Sequence, residues 1–290
     1  MRIGSSTYSF RRLGYAASEE ENVTLRAMFE RAAALGLAGL ELLAVQFESE
    51  ERAYLHELKR LAAAHALDLY ALSLHHNFVT PDAEKRREQV AYVKRWLDAA
   101  AVLGTPLVRV FGGRWGTVKG FRELMEREGH EDPLPGYRYE DALEWNAACF
   151  SECAAHAAQH GIVLALENHW GLTHTAKNVL DILQAVDSEW LKVALDCGNF
   201  RVDTYAQLEA LAPHAVIVHA KTYFGGGIFY NLDLDYRRIL AMLRRHGYQG
   251  YLSIEFEGRD APSAGLPASI ALLQEALAAT AGESGSSHPA

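Results

Sequence analysis

Short apolar runs alternate with longer amphipathic ones along the chain, and this rhythm repeats about eight times. Short apolar runs are typical of buried strands, and apolar residues at three- and four-residue intervals are typical of helices. The predicted strands are Ile3 to Tyr8, Gly39 to Ala44, Leu67 to Leu74, Pro106 to Phe111, Ile162 to Glu167, Leu191 to Asp196, Ala215 to Lys221 and Tyr251 to Phe256. The predicted helices lie near 22–35, 50–65, 82–103, 139–160, 175–186, 204–212, 234–246 and 264–280. Strands and helices that alternate in this way predict a parallel sheet built from βα units.

Eight apolar strands, each followed by a helix, favour a closed (β/α)₈ TIM barrel, an α/β fold, over an open doubly wound sheet. A dinucleotide-binding open sheet needs a glycine fingerprint after its first strand, and Gly4-Ser5-Ser6-Thr7 lacks it. A barrel of about 250 residues accounts for most of the chain. We therefore predict one domain over residues 1–280 and a disordered tail over 281–290, whose His288 is no ligand candidate.

The connection from Gly112 to Arg138, after the fourth strand, is unusually long and rich in Gly, Arg and Trp. Loops of this length are commonly functional or mobile. A partial lid over the site is one interpretation. The other interpretation is a surface excursion or a contact between subunits, so a homo-oligomer is also possible from the sequence.

Composition narrows the class of protein. The formal net charge is -9 and the pI is near 5.8, which gives no electrostatic reason to expect a nucleic acid as partner. Three cysteines are too few and too poorly spaced for a disulfide framework, which fits a reducing cytoplasm. Neither a signal segment nor a long apolar run is evident, so we expect a soluble cytoplasmic protein without membrane contact.

Four late strands end on an ionisable residue within apolar sequence: VLALENHWG, LKVALDCGNF, AVIVHAKTYFGG and YLSIEFEG. One such carboxylate is often a satisfied structural residue, but barrel active sites lie at the carboxyl ends of the strands, where these four converge. Glu167, Asp196, His219 and Glu255 would repel one another there unless some are protonated or a cation lies among them. We therefore predict one divalent metal ion. The oxygen-rich, thiolate-free set favours Mn²⁺, with Mg²⁺, Co²⁺ and Zn²⁺ as alternatives.

Residues two apart on a strand share a face, which brings His169 to the face of Glu167 and Lys221 to that of His219. Arg109 lies in the apolar run LVRVF, where a buried guanidinium needs a substrate oxygen or a carboxylate. His75 and His76 follow strand three, and at least one should face the cavity, in a binding or a packing role. Aromatic residues that can line the pocket, or simply pack, are Tyr8, Phe10, Trp115 and Trp170.

The ordered series ENH, LDCGN, HAK and IEFEG resembles the xylose isomerase-like TIM barrels of the sugar phosphate isomerase/epimerase superfamily. This group includes D-tagatose 3-epimerase-like enzymes, inosose dehydratases and type IV AP endonucleases. The resemblance implies that Glu167, Asp196, His219 and Glu255 bind the metal and that the two glutamates are the acid/base pair. It does not extend to the substrate, since Asn199 replaces a substrate-binding histidine and Lys221 stands where an arginine is usual nearby. The missing histidine in DCGN also separates the chain from the nucleases.

Three hypotheses about function follow. The first is isomerisation or epimerisation of a ketose or related polyhydroxy ketone, by proton abstraction next to the carbonyl through a metal-stabilised enediolate. In it, Arg109, Lys221, His75 or His76, Asn199 and Trp115 are the substrate-binding candidates. The second is a dehydratase acting on an inosose or 3-dehydroshikimate, with His169 as the catalytic base. The third is a sugar-binding protein without catalysis on the same scaffold.

Overall fold

The computed structural model describes residues 1–10 and 23–281. Residues 11–22 and 282–290 lie outside it, and with them His288 and almost all of the predicted tail. Eight parallel strands close into a barrel in chain order, with β1 paired to both β2 and β8. The strands are β1 Arg2–Ser6, β2 Gly39–Leu43, β3 Asp68–Ser73, β4 Leu107–Phe111, β5 Val163–Glu167, β6 Leu191–Asp196, β7 Ala215–Thr222 and β8 Tyr251–Phe256. The predicted closed (β/α)₈ barrel is confirmed, and the open doubly wound sheet is excluded.

Helices surround the barrel and connect its strands. Within the described residues they are α1 Leu25–Ala34, α2 Arg52–Ala64, α3 Ala83–Leu103, α4 Phe121–Glu126, α5 Tyr139–His160, α6 Ala176–Val186, α7 Thr204–Leu211, α8 Tyr236–Arg245 and α9 Pro262–Ala279. Glycine ends the two longest helices, since Gly104 and Gly161 cap α3 and α5 in the left-handed conformation. No helix of the described part is long and apolar enough to span a membrane.

Side chains along each strand alternate between the barrel interior and the layer beneath the helices. Outward residues such as Leu164, Leu166 and Leu195 join the main apolar core. Inward residues form a small separate cluster in which Tyr70 and Ile217 lie among alanines. Gly4 is required here, because a Cβ at this position would lie 2.4 Å from the Tyr70 ring. Two residues further along each strand, the same inward face carries the polar residues at the carboxyl ends.

Two local features differ from the sequence prediction. The first strand ends at Ser6, because Thr7–Phe10 turns into a 3₁₀ helix at the barrel rim. The connection 112–138 contains α4 and is held by Glu131, whose carboxylate accepts hydrogen bonds from Arg114 Nη2 at 2.7 Å and from the backbone of Gly116 at 3.1 Å. It is thus an ordered segment with its own helix, where the sequence had indicated only a loop.

Candidate metal centre and active site

The four predicted ligands meet at the carboxyl ends of β5 to β8. His219 Nδ1 lies 3.7 Å from Glu167 Oε1, 3.8 Å from Asp196 Oδ2 and 3.6 Å from Glu255 Oε1. Donor atoms bonded to one ion at about 2.1 Å lie about 3.0 to 3.5 Å apart, so a contraction of a few tenths of an ångström would complete such a site. All four residues are buried.

Three of these buried atoms lack a hydrogen-bond partner: Glu167 Oε2, Asp196 Oδ2 and His219 Nδ1. Unpaired buried polar atoms are costly, and an ion among them removes that cost. The surrounding charges also favour a bound cation. Besides His219, the described cluster contains two buried basic side chains, Arg109 and Lys221, and five buried carboxylates, namely Glu41, Glu167, Asp196, Glu255 and Glu257. The residues present therefore fit a divalent cation held by three carboxylates and one imidazole.

Glu41 on β2 contacts His219 on the side away from the cluster, and the sequence did not predict this role. Its Oε1 lies 3.1 Å from His219 Nε2, the ring nitrogen turned away from the cluster. Ser253 donates to Oε2 at 2.6 Å, Ser73 donates to Oε1, and Tyr70 donates to Ser253 at 2.7 Å. A carboxylate on the distal nitrogen fixes the tautomer and the orientation of a metal-binding histidine. The available signal was a charged residue inside the apolar run GLELL.

Lys221 occupies the side of the cluster next to Glu255. Its Nζ donates to Glu255 Oε2 at 3.0 Å and to Glu257 Oε1 at 2.8 Å, and lies 3.4 Å from Asp196 Oδ2. Glu257 also accepts a hydrogen bond from Tyr8 at 3.3 Å. The sequence reasoning overlooked Glu257, although it follows Glu255 by two residues. Lys221 is thus at the predicted place, with its ammonium group held by carboxylates.

Arg109 occupies the side of the cluster next to Glu167. Its Nε lies 3.1 Å from Glu167 Oε2, an ion pair without hydrogen-bond alignment, and its Nη1 donates to the backbone oxygen of Leu74 at 2.8 Å. The guanidinium stacks over Phe111, 4.1 Å from the ring centre. The sequence predicted that Arg109 would contact a substrate oxygen or a carboxylate, and in the structure its partner is a carboxylate, that of Glu167.

Asn199 lies beside the cluster and contacts a predicted ligand directly. Its Nδ2 donates to Glu167 Oε1 at 3.1 Å and to the backbone oxygen of Asn168 at 3.0 Å. Tyr230, from the loop after β7, donates to Asn199 Oδ1 at 3.4 Å. The Asn199 amide group therefore orients Glu167, and a role in substrate binding stays a prediction.

The two strand-three histidines take different positions. His75 is exposed at the barrel mouth with its ring edge-on to Phe111, whereas His76 is buried between Phe78 and Phe150. Burial lowers the pKa of His76 to about 3. Partial desolvation of its ring, together with the charge of Arg109, lowers the pKa of His75 to about 4. His75 is thus the more exposed of the two histidines, and both line the same cavity.

His169 and Trp115 line different parts of this end of the barrel. His169 packs against Phe111, 4.5 Å between ring centres, and against Trp170 at 4.6 Å. Trp115 lines a cavity of about 700 Å³ together with His75, His76 and Phe111. Phe111 is shared by the two features, since its ring contacts Arg109 of the cluster and also lines the cavity.

The model of the xylose isomerase-like TIM barrel family matches residues 29–276, which is most of the chain. The chain belongs to this family. Among curated proteins, none matches the sequence significantly.

Several solved structures share the fold at low identity. D-psicose 3-epimerase from Clostridium cellulolyticum H10 is 18% identical with a TM-score of 0.70, over 97% of this chain and 98% of that one. The probable 3-DHS dehydratase AsbF from Bacillus anthracis is 19% identical with a TM-score of 0.70, over 94% and 99%. The IOLI protein, solved with a bound zinc atom, is 16% identical with a TM-score of 0.71, over 99% and 100%. These likenesses establish the fold alone.

In this member of the family the two central glutamates have different electrostatic surroundings. Burial raises the pKa of Glu167, and Arg109 offsets this only in part. Burial acts in the same direction on Glu255, but the charges of Lys221 and His219 outweigh it and lower its pKa to about 2. Two carboxylates with pKa values moved apart are typical of an acid and base pair.

The 112–138 segment packs across the barrel mouth of this family member. Val118, Leu124 and Met125 form a small apolar cluster with Trp170 and Tyr230, which belong to the loops after β5 and β7. Through Tyr230 the segment is connected to Asn199. Its place over the site agrees with the interpretation as a partial lid, and movement of the segment stays a prediction.

Proposed function

We propose that this protein is a divalent-metal-dependent isomerase or epimerase that acts on a ketose or a related polyhydroxy ketone. The observation that carries the proposal is the convergence of Glu167 and Glu255 on His219 Nδ1 from strands on either side of β6 and β7. We expect Mn²⁺ at Glu167, Asp196, His219 and Glu255. The ion would polarise the substrate carbonyl and acidify the neighbouring C–H bond.

The protein residues then divide the proton transfer between two carboxylates. In the proposal, one of Glu167 and Glu255 removes the proton next to the carbonyl and the other returns a proton to the same or the adjacent carbon. Lys221 holds Glu255, while Arg109 and Asn199 hold Glu167, so each carboxylate keeps its direction. Burial of the cluster limits the access of water to the two carboxylates.

A small, uncharged, hydroxyl-rich substrate suits this site better than a polyanion. Both buried cations are engaged by carboxylates, since Arg109 pairs with Glu167 and Lys221 with Glu255 and Glu257. No unpaired cation of the described cluster is therefore left for a phosphate. The fold shared with D-psicose 3-epimerase is consistent with a ketose.

A dehydratase is the second candidate, and His169 is the residue that favours it. Its ring lies beside Phe111, which also stacks on Arg109, the partner of Glu167. A neutral imidazole there is suited to removing a proton next to a ketone before a β-hydroxyl leaves. The fold shared with the 3-DHS dehydratase is consistent with this reaction.

Proton NMR in D₂O on a panel of ketoses, inososes and 3-dehydroshikimate tests the proposal. We expect the Mn²⁺-loaded protein to exchange the hydrogen next to a ketose carbonyl, and Glu167→Gln and Glu255→Gln each to slow this by about 10² to 10⁴. Glu209→Gln is the control, because Glu209 is a partly exposed carboxylate of α7 that pairs with Arg245 and His246. Unchanged exchange in Glu167→Gln, or none across the panel, contradicts the proposal. Formation of an ultraviolet-absorbing enone that is lost in His169→Ala would establish the dehydratase instead.

A further inference from the structure

Two imidazoles and one carboxylate meet on the outer surface of the helical layer. His156 Nε2 lies 2.7 Å from Asp98 Oδ1, and His160 Nε2 lies 3.0 Å from the same oxygen. Asp98 belongs to α3, and the two histidines stand four residues apart on α5. These three donor atoms therefore converge on one point between two helices.

The helices hold this geometry in place. α3 and α5 are the two longest helices described, with 21 and 22 residues, and both bury one face against the core. One turn earlier, Lys94 on α3 pairs with Glu152 on α5 at 2.5 Å, so a second polar contact joins the same two helices next to the cluster. Histidines four apart share a helix face, and their ring centres are 5.1 Å apart.

We propose that Asp98, His156 and His160 form a second metal site, selective for Zn²⁺ or a similar transition-metal ion such as Ni²⁺ or Cu²⁺. Imidazole nitrogen suits these ions, and two histidines four residues apart on a helix are a common zinc-binding arrangement. Two nitrogens and one oxygen make a poor site for Mg²⁺, which binds through oxygen. The barrel cluster, with three carboxylates, has the opposite preference.

The distances leave room for an ion after a small movement. Donors bonded to one tetrahedral zinc ion at about 2.0 to 2.1 Å lie about 3.3 Å apart, a few tenths of an ångström beyond those observed. The Asp98 side chain is 58% exposed, so it is free to rotate by this amount. The histidine side chains are only 23% and 29% exposed, and both rings already direct Nε2 at the Asp98 carboxylate. Water would complete the coordination.

The site lies far along the barrel from the proposed active site. α5 ends at His160 and β5 begins at Val163, whereas Glu167 is at the other end of β5. The cluster is thus at the end of the barrel where residues contribute to stability. An ion there would join α3 to α5 and stabilise the folded chain, because it binds the native arrangement alone.

Zinc titration of the tag-free, chelator-treated protein tests the proposal. Wild type is compared with Asp98→Asn and with a double variant carrying His156→Gln and His160→Gln, by calorimetry with Zn²⁺ as the probe. His56→Gln, which alters an exposed histidine of α2, is the matched control. We expect the double variant to bind one equivalent of zinc fewer than wild type, Asp98→Asn to bind that equivalent more weakly, and His56→Gln to behave as wild type.

The readout is a difference between proteins, so it does not depend on whether the barrel cluster binds metal. Zinc should also raise the Tm of wild type more than that of the double variant. Equal zinc stoichiometry in wild type and the double variant overturns the proposal. Circular dichroism checks folding of each variant, and if the double variant did not fold, unaltered zinc binding by Asp98→Asn would overturn it.

Discussion

The substitution Glu41→Gln tests how the barrel holds its proposed ion. It keeps the shape of a fully buried side chain and removes the negative charge that faces His219 Nε2 at 3.1 Å. The neutral amide is a weaker acceptor for the imidazole N–H. Its NH₂ group also faces the Ser73 or Ser253 hydroxyl, which donates to the carboxylate in the native protein. Both changes loosen the orientation of His219 and lower the basicity of its other nitrogen.

The expected size follows from this geometry. Removing a partner of this kind weakens metal binding by about 10- to 100-fold. At about 1.4 kcal/mol for each factor of ten, the loss is about 1.4 to 2.8 kcal/mol. We expect the upper half of this range, because Glu41 is completely buried and solvent cannot replace its charge.

Mn²⁺ affinity measured by the electron paramagnetic resonance signal of free Mn²⁺ is the assay. Glu41→Gln should bind Mn²⁺ more weakly, and excess Mn²⁺ should restore any activity. Glu131→Gln removes another buried carboxylate, one that contacts Arg114 and not His219, and should keep the wild-type affinity. An affinity of Glu41→Gln within twofold of wild type would refute the reasoning that Glu41 orients a metal-binding imidazole.

Three further predictions rest on other contacts. Glu257→Gln should lower kcat with little change in Mn²⁺ affinity, because Glu257 holds Lys221 and not the ion; an unchanged kcat contradicts this. Phe150→Ala should lower the free energy of unfolding by about 3 to 5 kcal/mol, since the ring is fully buried, and a denaturant titration that gives less than about 1 kcal/mol contradicts this. The three buried cysteines should resist a thiol reagent at pH 8 in the native state and react after denaturation, because burial raises the pKa of Cys149 to about 11 and those of the others further; rapid native labelling contradicts this.

The fold was readable from the sequence because its elements are regular. Apolar runs on both faces placed all eight strands, and those beginning at Leu191 and Tyr251 agree with the structure at both ends. α4 was not predicted, because its six residues lie within a glycine- and arginine-rich connection and are too few to establish a helical period. The early end of β1 depends on the contact of Ser9 with β8, which local sequence does not contain.

The site was readable only in part. The four proposed ligands could be found because each lies at or near the carboxyl end of a buried strand, where an ionisable residue is conspicuous. Glu41 was missed because its importance comes from the distal nitrogen of His219, a contact between β2 and β7 across the barrel. The orientation of Asn199 toward Glu167 depends on the path of a loop. Such contacts between distant strands and loops are set by tertiary packing and leave no periodic signal.

Anomalous diffraction at the manganese edge, from crystals soaked in Mn²⁺, tests whether the four side chains bind a metal ion. We expect one strong peak within bonding distance of His219 Nδ1 and of the carboxylates of Glu167, Asp196 and Glu255. The peak should be absent from crystals of a His219→Ala variant. No peak among these four side chains in the wild-type protein, at saturating Mn²⁺, would contradict the proposed metal site.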